Sequence, residues 1–290
     1  MKKVIILMPV FNDWESADKV LKELNTSIQE LNGFLFKCII VNDCSSINRP
    51  KIMKPENFES LKIINMKENR GHARCNAFAL RYISSKFDFD YVVVMDSDGE
   101  DRPEEIKYLI EKVRQNPKNS VVAKRIKRSE GLIFKSLYEI HKFITLIFTG
   151  KKINFGNYSC LTKNDVIILS EQGSLWSSFS GTVKKNLKDL QEINSIRGLR
   201  YFGPSKMSLF NLAIHSFSII AVFKYNVLLR SLFLILILFF ISKNFLFIST
   251  IFQIFVIIFN LIIFSVSFRE NESALVESDE NILNEENITH

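Results

Sequence analysis

Tyr91-Val-Val-Val-Met-Asp-Ser-Asp-Gly-Glu-Asp101 is the stretch that decides how this chain folds. Tyr91–Met95 is apolar without alternation, the pattern of a strand covered on both faces in a parallel sheet. It stops abruptly at four carboxylates in six residues: Asp96, Asp98, Glu100 and Asp101. Such a cluster repels itself unless a cation or hydrogen-bond donors hold it. In a continuing strand Asp96 and Asp98 would point to opposite faces. In a turn, which Gly99 permits, both can converge on one hard cation. Mg²⁺ or Mn²⁺ held by one or two carboxylates plus substrate phosphates is the usual arrangement for diphosphate chemistry. The spacing is not that of an EF-hand, because no further oxygen ligands and no closing Glu follow at the required positions.

Outward from this stretch, strand and helix patterns alternate. Val4–Val10 is a second continuous apolar run, and Asn12 or Asp13 can cap a helix with Trp14, Ala17, Leu21, Leu24, Ile28 and Leu31 at spacings of three and four. Strands are expected at Phe34–Val41, Leu61–Met66 and Val121–Ala123. A helix opens at Gly71, and Pro103 with Glu104 and Glu105 suits the first turn of another. This order predicts an α/β domain with a mostly parallel sheet and its site at the carboxyl ends of the strands. Further on, Ile133–Thr149 reads as a helix, Asn154–Leu161 as a loop and strand, and Val183–Ile193 as a helix or a strand pair.

The carboxyl-terminal part differs in composition. Phe245–Phe268 is uncharged and long enough to cross a ~30 Å hydrocarbon core. Asn226–Ser242 is interrupted only by Arg230, which can snorkel to the interface. With Lys243-Asn244 between them the two runs predict a transmembrane hairpin. Arg197, Arg200, Lys206 and Lys224 before it place the domain and the tail on the cytoplasmic side. Ser208–Phe223 carries Asn211, His215 and Ser218 as one polar stripe, as in a helix lying at a membrane interface. The tail, Arg269–His290, holds seven acids against one Arg, so the net charge of +7 becomes +13 on the rest. That charge calls for an anionic partner, a phosphorylated substrate or a membrane surface. Nucleic acid is disfavoured, because the basic residues are not interleaved with aromatics in a recognisable module. Cys38, Cys44, Cys75 and Cys160 show neither pairing nor metal-ligand spacing and are expected to be reduced thiols.

Four motifs together carry a resemblance: Met8–Asp13 (MPVFND), Val41–Ser46 (VNDCSS), Asn69–Ala77 (NRGHARCNA) and Asp96–Ile106 (DSDGEDRPEEI). In order and spacing they resemble family 2 glycosyltransferases with the GT-A fold. Val121–Gly131 (VVAKRIKRSEG) and the carboxyl-terminal hydrophobic module are similar to the polyprenyl-phosphate glycosyltransferase branch. The implied organisation is a Rossmann-like GT-A catalytic domain at 1–203, a juxtamembrane amphipathic helix at 204–225, two transmembrane helices at 226–268 and an acidic, disordered tail at 269–290. The expected location is the inner (cytoplasmic) membrane, multi-pass, with room for a homo-oligomer.

The resemblance also assigns residues. Pro9, Val10, Asp13, Asp43, Gly71, Arg74, Asp96, Ser97 and Asp98 would contact the nucleotide-sugar donor. Asp96 and Asp98 would bind Mg²⁺ or Mn²⁺, with Asp98 the direct ligand. Arg125, Arg128 and Lys135 would meet the phosphate of a polyprenyl-phosphate acceptor in the lipid bilayer, and Asp98, Asp101 and Arg125 would be the catalytic set. The family usually has Glu in place of Asp13, an Asp in place of Asn42 and Gln in place of Glu100. Some relatives carry Asp where this chain has Asn157. An amide cannot act as a base, but a phosphate acceptor, largely ionised at neutral pH, needs none. Two alternatives stand beside this reading: a membrane-anchored transferase extending a lipid-linked or cell-envelope glycan with Asp101 or Glu171 as base, and a non-catalytic scaffold with the same fold. His72 and His215 are expected to be structural.

Overall fold

A computed structural model describes residues 1–127, 132–203, 208–241 and 246–289. Among them one sheet of eight strands has the order β7-β5-β6-β4-β1-β2-β3-β8. Its centre is β1 (Lys2–Val10), parallel to both β2 (Phe34–Asn42) and β4 (Tyr91–Val94), and β3 (Phe58–Met66) continues the parallel run. Every residue of β1 from Val4 to Val10 is buried, because both faces are covered. Ile5 and Leu7 point to the side of α2 (His72–Lys86), while Val4, Ile6 and Met8 point to α1 (Trp14–Ile28) and α3 (Ile106–Gln115). At about 1.5–3 kcal/mol per fully buried aliphatic side chain, this two-sided burial outweighs the modest sheet propensity of Lys2 and Lys3.

The second half of the sheet is mixed. β6 (Phe155–Thr162) runs antiparallel to both β4 and β5 (Val121–Lys127), and β7 (Gln191–Ile196) runs parallel to β5. Between them lie α4 (Leu132–Thr149), α5 (Lys163–Ser170) and α6 (Phe179–Asn186), so Val183–Ile193 resolves into the end of a helix and the start of a strand. All four cysteines are free thiols.

The expectation of a disordered tail is overturned. After α10 (Glu272–Val276) and a 3-10 turn at Glu277–Asn281, residues Ile282–Ile288 form β8, antiparallel to β3 from Leu61↔Ile288 to Met66↔Ile282. The catalytic domain is therefore not confined to 1–203; its last strand comes from the far end of the chain. Without β8, β3 would leave a row of backbone groups unpaired at the sheet edge. The acids that read as disorder in composition find cations there: Lys62 Nζ lies 2.6 Å from Glu285 Oε2 and Arg49 Nη2 lies 2.6 Å from Glu286 Oε2. These bonds hold both glutamates below their ordinary pKa. A depressed carboxylate stabilises the fold above its unfolded value, and the contribution disappears as pH falls through the folded one. Hydrogen exchange in β8, corrected for the intrinsic pH dependence, should therefore show protection at neutral pH that declines below about pH 4.5. Protection unchanged down to pH 3 would mean that the ladder alone holds the strand.

α7 (Leu209–Ala221), α8 (Lys224–Ile241) and α9 (Leu246–Ser267) follow β7. By length and composition α9 is apolar enough to cross a membrane, and α7 and α8, bent by 85° at their junction, pass the same test only together. Phe247, Phe255 and Leu261 of α9 and Leu229, Phe233 and Phe240 of α8 are exposed. At the base of this hairpin Lys224 Nζ pairs with Glu270 Oε2 at 3.0 Å, and β8 brings the chain back to its starting sheet. Both ends of the hairpin thus lie against the same domain. Arg230 is exposed, and its Nη1 donates to the Ile147 carbonyl at 3.2 Å, near the negative end of α4. One detail differs from expectation. The polar stripe of α7 turns inward along its length, from exposed Asn211 to buried Ser218, because Ile219, Val222 and Phe223 join the core of the catalytic domain. Lys206, Lys243 and Asn244 lie outside the described residues.

Candidate active site

The loop after β4 is held by its own polar groups. Asp96 N donates to Asp101 Oδ2 at 3.0 Å, Glu100 N donates to Asp98 Oδ1 at 2.9 Å, and Ser97 Oγ donates to the Pro9 carbonyl at 2.7 Å. Gly99 takes φ +88°, and a Cβ there would come within 2.7 Å of the Tyr201 ring. That ring belongs to residues 197–203, a strap that crosses the loop after β7. Tyr201 N donates to the Asp98 carbonyl at 3.0 Å and Gly198 N to the Glu100 carbonyl at 2.8 Å. The strap delivers Arg200, whose Nη1 lies 2.6 Å from Asp98 Oδ2 and whose Nη2 pairs with Asp13. Asp13 therefore does not cap α1 through its side chain. Arg197 pairs with Glu100 on the same strap.

On the other side of the loop, Asn157 Nδ2 donates to Asp96 Oδ1 at 3.1 Å and lies 2.7 Å from His72 Nε2. His72 Nε2 is 3.1 Å from the same Asp96 oxygen. Asn76 Nδ2, one helical turn on, completes the contact at 3.1 Å. Arg125 on β5 reaches to 4.0 Å from Asp101 Oδ1, and its guanidinium occupies the space that a side chain on residue 156 would take. Burial, with His72, Arg125 and His141 nearby, pulls His215 of α7 down to about 4.

Burial and mutual repulsion set the electrostatics. Burial, with Asp96 and Glu100 nearby, pushes Asp98 up to about 6, and burial with Asp96 pushes Asp101 up to about 7. Asp96 goes the other way: burial alone would raise it, but His72, Arg125 and Asn157 hold it below the ordinary carboxylate range. Burial pulls His72 down, and Asp96, Asp98 and Asp101 more than reverse that.

Asp43, buried at the end of β2, accepts from the backbone N–H of Arg70 and of Gly71, each at 2.9 Å. Gly71 takes φ +90°, which bends the chain around that carboxylate before α2 begins. Arg74 Nη1 donates back to the Arg70 carbonyl at 3.0 Å. Asn12, at φ 52°, accepts from Ser46 N at 2.8 Å and from Ile47 N at 3.2 Å, which ties the loop after β1 to the loop after β2.

The structure thus gathers Asp13, Asp96, Ser97, Asp98, Asp101 and Arg125 at the carboxyl ends of β1 and β4, with Asp43, Gly71 and Arg74 beside them. Pro9 and Val10 are buried in β1, and what Pro9 offers the loop is its carbonyl. Arg128 lies outside the described residues. Lys135 is on α4, and its side chain is likewise outside the description. Glu171 stands exposed where α5 ends. His72 and Arg200 were not assigned to the site from sequence; both lie far along the chain from Asp96 and no local pattern joins them to it.

Among the described residues no three His, Cys, Asp or Glu side chains converge as a closed metal cage. The donor set nevertheless fits a hard divalent cation. Asp98 is a carboxylate with excess negative charge around it, and its Oδ2, paired with Arg200 in this structure, is the oxygen that would turn to a cation.

Comparison with known proteins agrees with this geometry. A family model described as glycosyl transferase family 2 matches residues 5–175. Undecaprenyl-phosphate 4-deoxy-4-formamido-L-arabinose transferase of Salmonella typhimurium is 27% identical over 164 residues, which cover 56% of this chain and 48% of that protein. The same enzyme of Salmonella choleraesuis is 26% identical over the same length. The chain spans about half the length of the curated relatives it matches. Among solved structures, glucosyl-3-phosphoglycerate synthase from Mycobacterium tuberculosis, in complex with Mn²⁺, UDP-glucose and phosphoglyceric acid, superposes with a TM-score of 0.50. The identity is 14%, over 78% of this chain and 80% of that one. That likeness establishes the GT-A-like fold. Because the family match runs from β1 past the carboxylate loop and beyond α5 and covers more than half of the chain, the protein belongs to glycosyl transferase family 2.

Proposed function

We propose that this glycosyltransferase moves a sugar from a nucleotide-sugar onto a polyprenyl phosphate at the cytoplasmic face of a membrane, with inversion and with help from Mg²⁺ or Mn²⁺. The observation that carries the reading is the border of the site. α4 joins β5, which carries Arg125, to β6, which carries Asn157, and packs against α7, while the two helices expose Leu137, Ile140, Phe143 and Phe210. An acceptor whose phosphate must meet buried polar groups while its chain stays in hydrocarbon needs such a border.

The residues have separable roles. Asp98, with Asp96 beside it, would hold the cation, which when bound neutralises charge on the leaving diphosphate. Arg200 carries a fixed positive charge between Asp13 and Asp98, on the donor side of the loop. Arg125, on the strand that precedes α4, presents its guanidinium beside Asp101, where an acceptor phosphate would enter. Asn157 and His72 keep the Asp96 carboxylate oriented and charged. No general base stands at position 157, and an ionised phosphate oxygen attacks the anomeric carbon without one. The α8–α9 hairpin spans the bilayer and returns α10 and β8 to the catalytic side.

The test is transfer of label from a panel of nucleotide-sugars to undecaprenyl phosphate in nanodiscs, with Mg²⁺ or Mn²⁺. Label in the lipid phase supports the reading. Nucleotide binding without transfer would shift the acceptor to a glycan, and absence of both would leave a scaffold.

A further inference from the structure

Beyond Asp43, on the β3 side, a cavity of about 760 Å³ opens between the catalytic domain and the returning carboxyl-terminal segment. Its size suits a small-molecule site, which runs from about 300 to 1,000 Å³. One wall carries Lys67, Arg70 and Arg74, with Glu68 paired to Arg70 at 2.7 Å, which leaves a net positive charge there. Its floor is Trp176, with the guanidinium carbons of Arg70 and Arg74 6.0 and 5.9 Å from the indole centroid. The facing wall is built by α10 and the 3-10 turn after it, and presents Glu277 and Glu280. A narrow extension between Trp176 and Asn281 reaches Asp43.

This facing wall is held in place. Lys67 N and Lys67 Nζ donate to the carbonyls of Asn281 and Glu280, each at 2.7 Å, and Asn281 Nδ2 donates to the Glu68 carbonyl at 3.2 Å. Leu275 of α10 is buried in the domain core. The Glu277 and Glu280 carboxylates, in contrast, make no ion pair or hydrogen bond among the described residues. They are fixed in position by their backbone and left open toward the cavity.

A layer of guanidinium on indole accepts a further planar ring. Cations beside it suit phosphate, and a carboxylate accepts hydrogen bonds from vicinal hydroxyls. A nucleoside diphosphate has all three groups. We propose that residues 271–281 form the outer wall of the donor's nucleoside pocket: the base stacks on the Arg70–Arg74–Trp176 layer, and the ribose hydroxyls donate to Glu277 and Glu280. This rests on the nucleotide-sugar reading above and adds to it a specificity surface outside the family match, which ends at residue 175.

The experiment is calorimetric titration of the full-length protein in nanodiscs with UDP, GDP, CDP and ADP in the presence of Mn²⁺. The tightest of the four is then compared with its 2′,3′-dideoxy counterpart. Wild type should prefer the ribo form about tenfold or more, as expected for hydrogen bonds to charged acceptors. The Glu277→Gln/Glu280→Gln double variant should lose most of that preference while binding the dideoxy form as wild type does. Trp176→Ala should weaken both forms about tenfold. A variant that keeps the wild-type ribo preference, or a wild type without one, overturns the tail's role and leaves the donor site standing. If none of the four nucleotides binds wild type, the donor reading itself fails. The single variants Glu277→Gln and Glu280→Gln, read on the same ratio, decide the matter should the double variant not fold.

Discussion

Asp98→Asn removes transfer to lipid by about 10³-fold or more while the protein melts at the same or a higher temperature. The activity side follows from what the substitution deletes. The amide keeps the shape and can still accept from Glu100 N, but it no longer offers a charged oxygen to a divalent cation or to Arg200. The stability side follows from the crowding of carboxylates. Asp98 lies between Asp96 and Glu100, and burial raises its folded pKa to about 6, above the value of 3.8 for a free side chain. A carboxyl raised in this way favours the fold below pH 3.8 and loses that benefit as pH climbs through 6, so its charge at pH 7 is a cost of at most about 3 kcal/mol. Loss of the Arg200 pair offsets part of the relief. The measurement is label transfer in nanodiscs beside a thermal melt of the same preparation. Retained transfer would remove Asp98 from the catalytic set, and a steep fall in melting temperature would make the loop structural.

The parts of this molecule that were legible in the sequence share one property: their signal is local. Val4–Val10 and Tyr91–Met95 each read as buried parallel strands because two-sided burial leaves an unbroken apolar run. Asp43 and Gly71 were singled out by the resemblance of VNDCSS and NRGHARCNA to family motifs, and the structure brings the two together, with Asp43 accepting from Gly71 N. The missed parts depend on distant partners. The tail read as disordered because composition counts its acids and cannot see Arg49 and Lys62 waiting on the edge of the sheet. Arg200 read as one of several flanking cations, yet the strap lays it on Asp98 and Asp13, 102 and 187 residues away. His72 was placed in the background although Asn157, 85 residues on, fixes it against Asp96. Trp176 carried no signal at all, since the cavity it lines is closed by a segment that arrives a hundred residues later.

Gly156→Ala should cut transfer about 10²-fold without loss of stability, by displacing an arginine it never bonds. Gly156 sits in β6, one residue before Asn157, and the Arg125 guanidinium lies over it. A methyl there would press within 2.7 Å of Arg125 Cζ and closer still to Nη2. No positive φ is needed at this position, and alanine is a better strand residue than glycine by roughly 0.5–1 kcal/mol. The backbone therefore has no reason to move. What yields is the far end of a flexible side chain, and with it the geometry by which Arg125, on the proposed reading, meets an acceptor phosphate. A misplacement of about 1 Å is enough for a loss of this size. The sequence motif is conservative in appearance, since small residues exchange freely in strands, so the effect would separate positioning of Arg125 from mere retention of it. Arg125→Ala should fall by a similar factor. The double variant Arg125→Ala/Gly156→Ala should be no worse than Arg125→Ala, because the methyl then has nothing to displace. Additive losses in that cycle would mean that Gly156 acts on the Asn157–Asp96 contact and that Arg125 owes its position to Asp101.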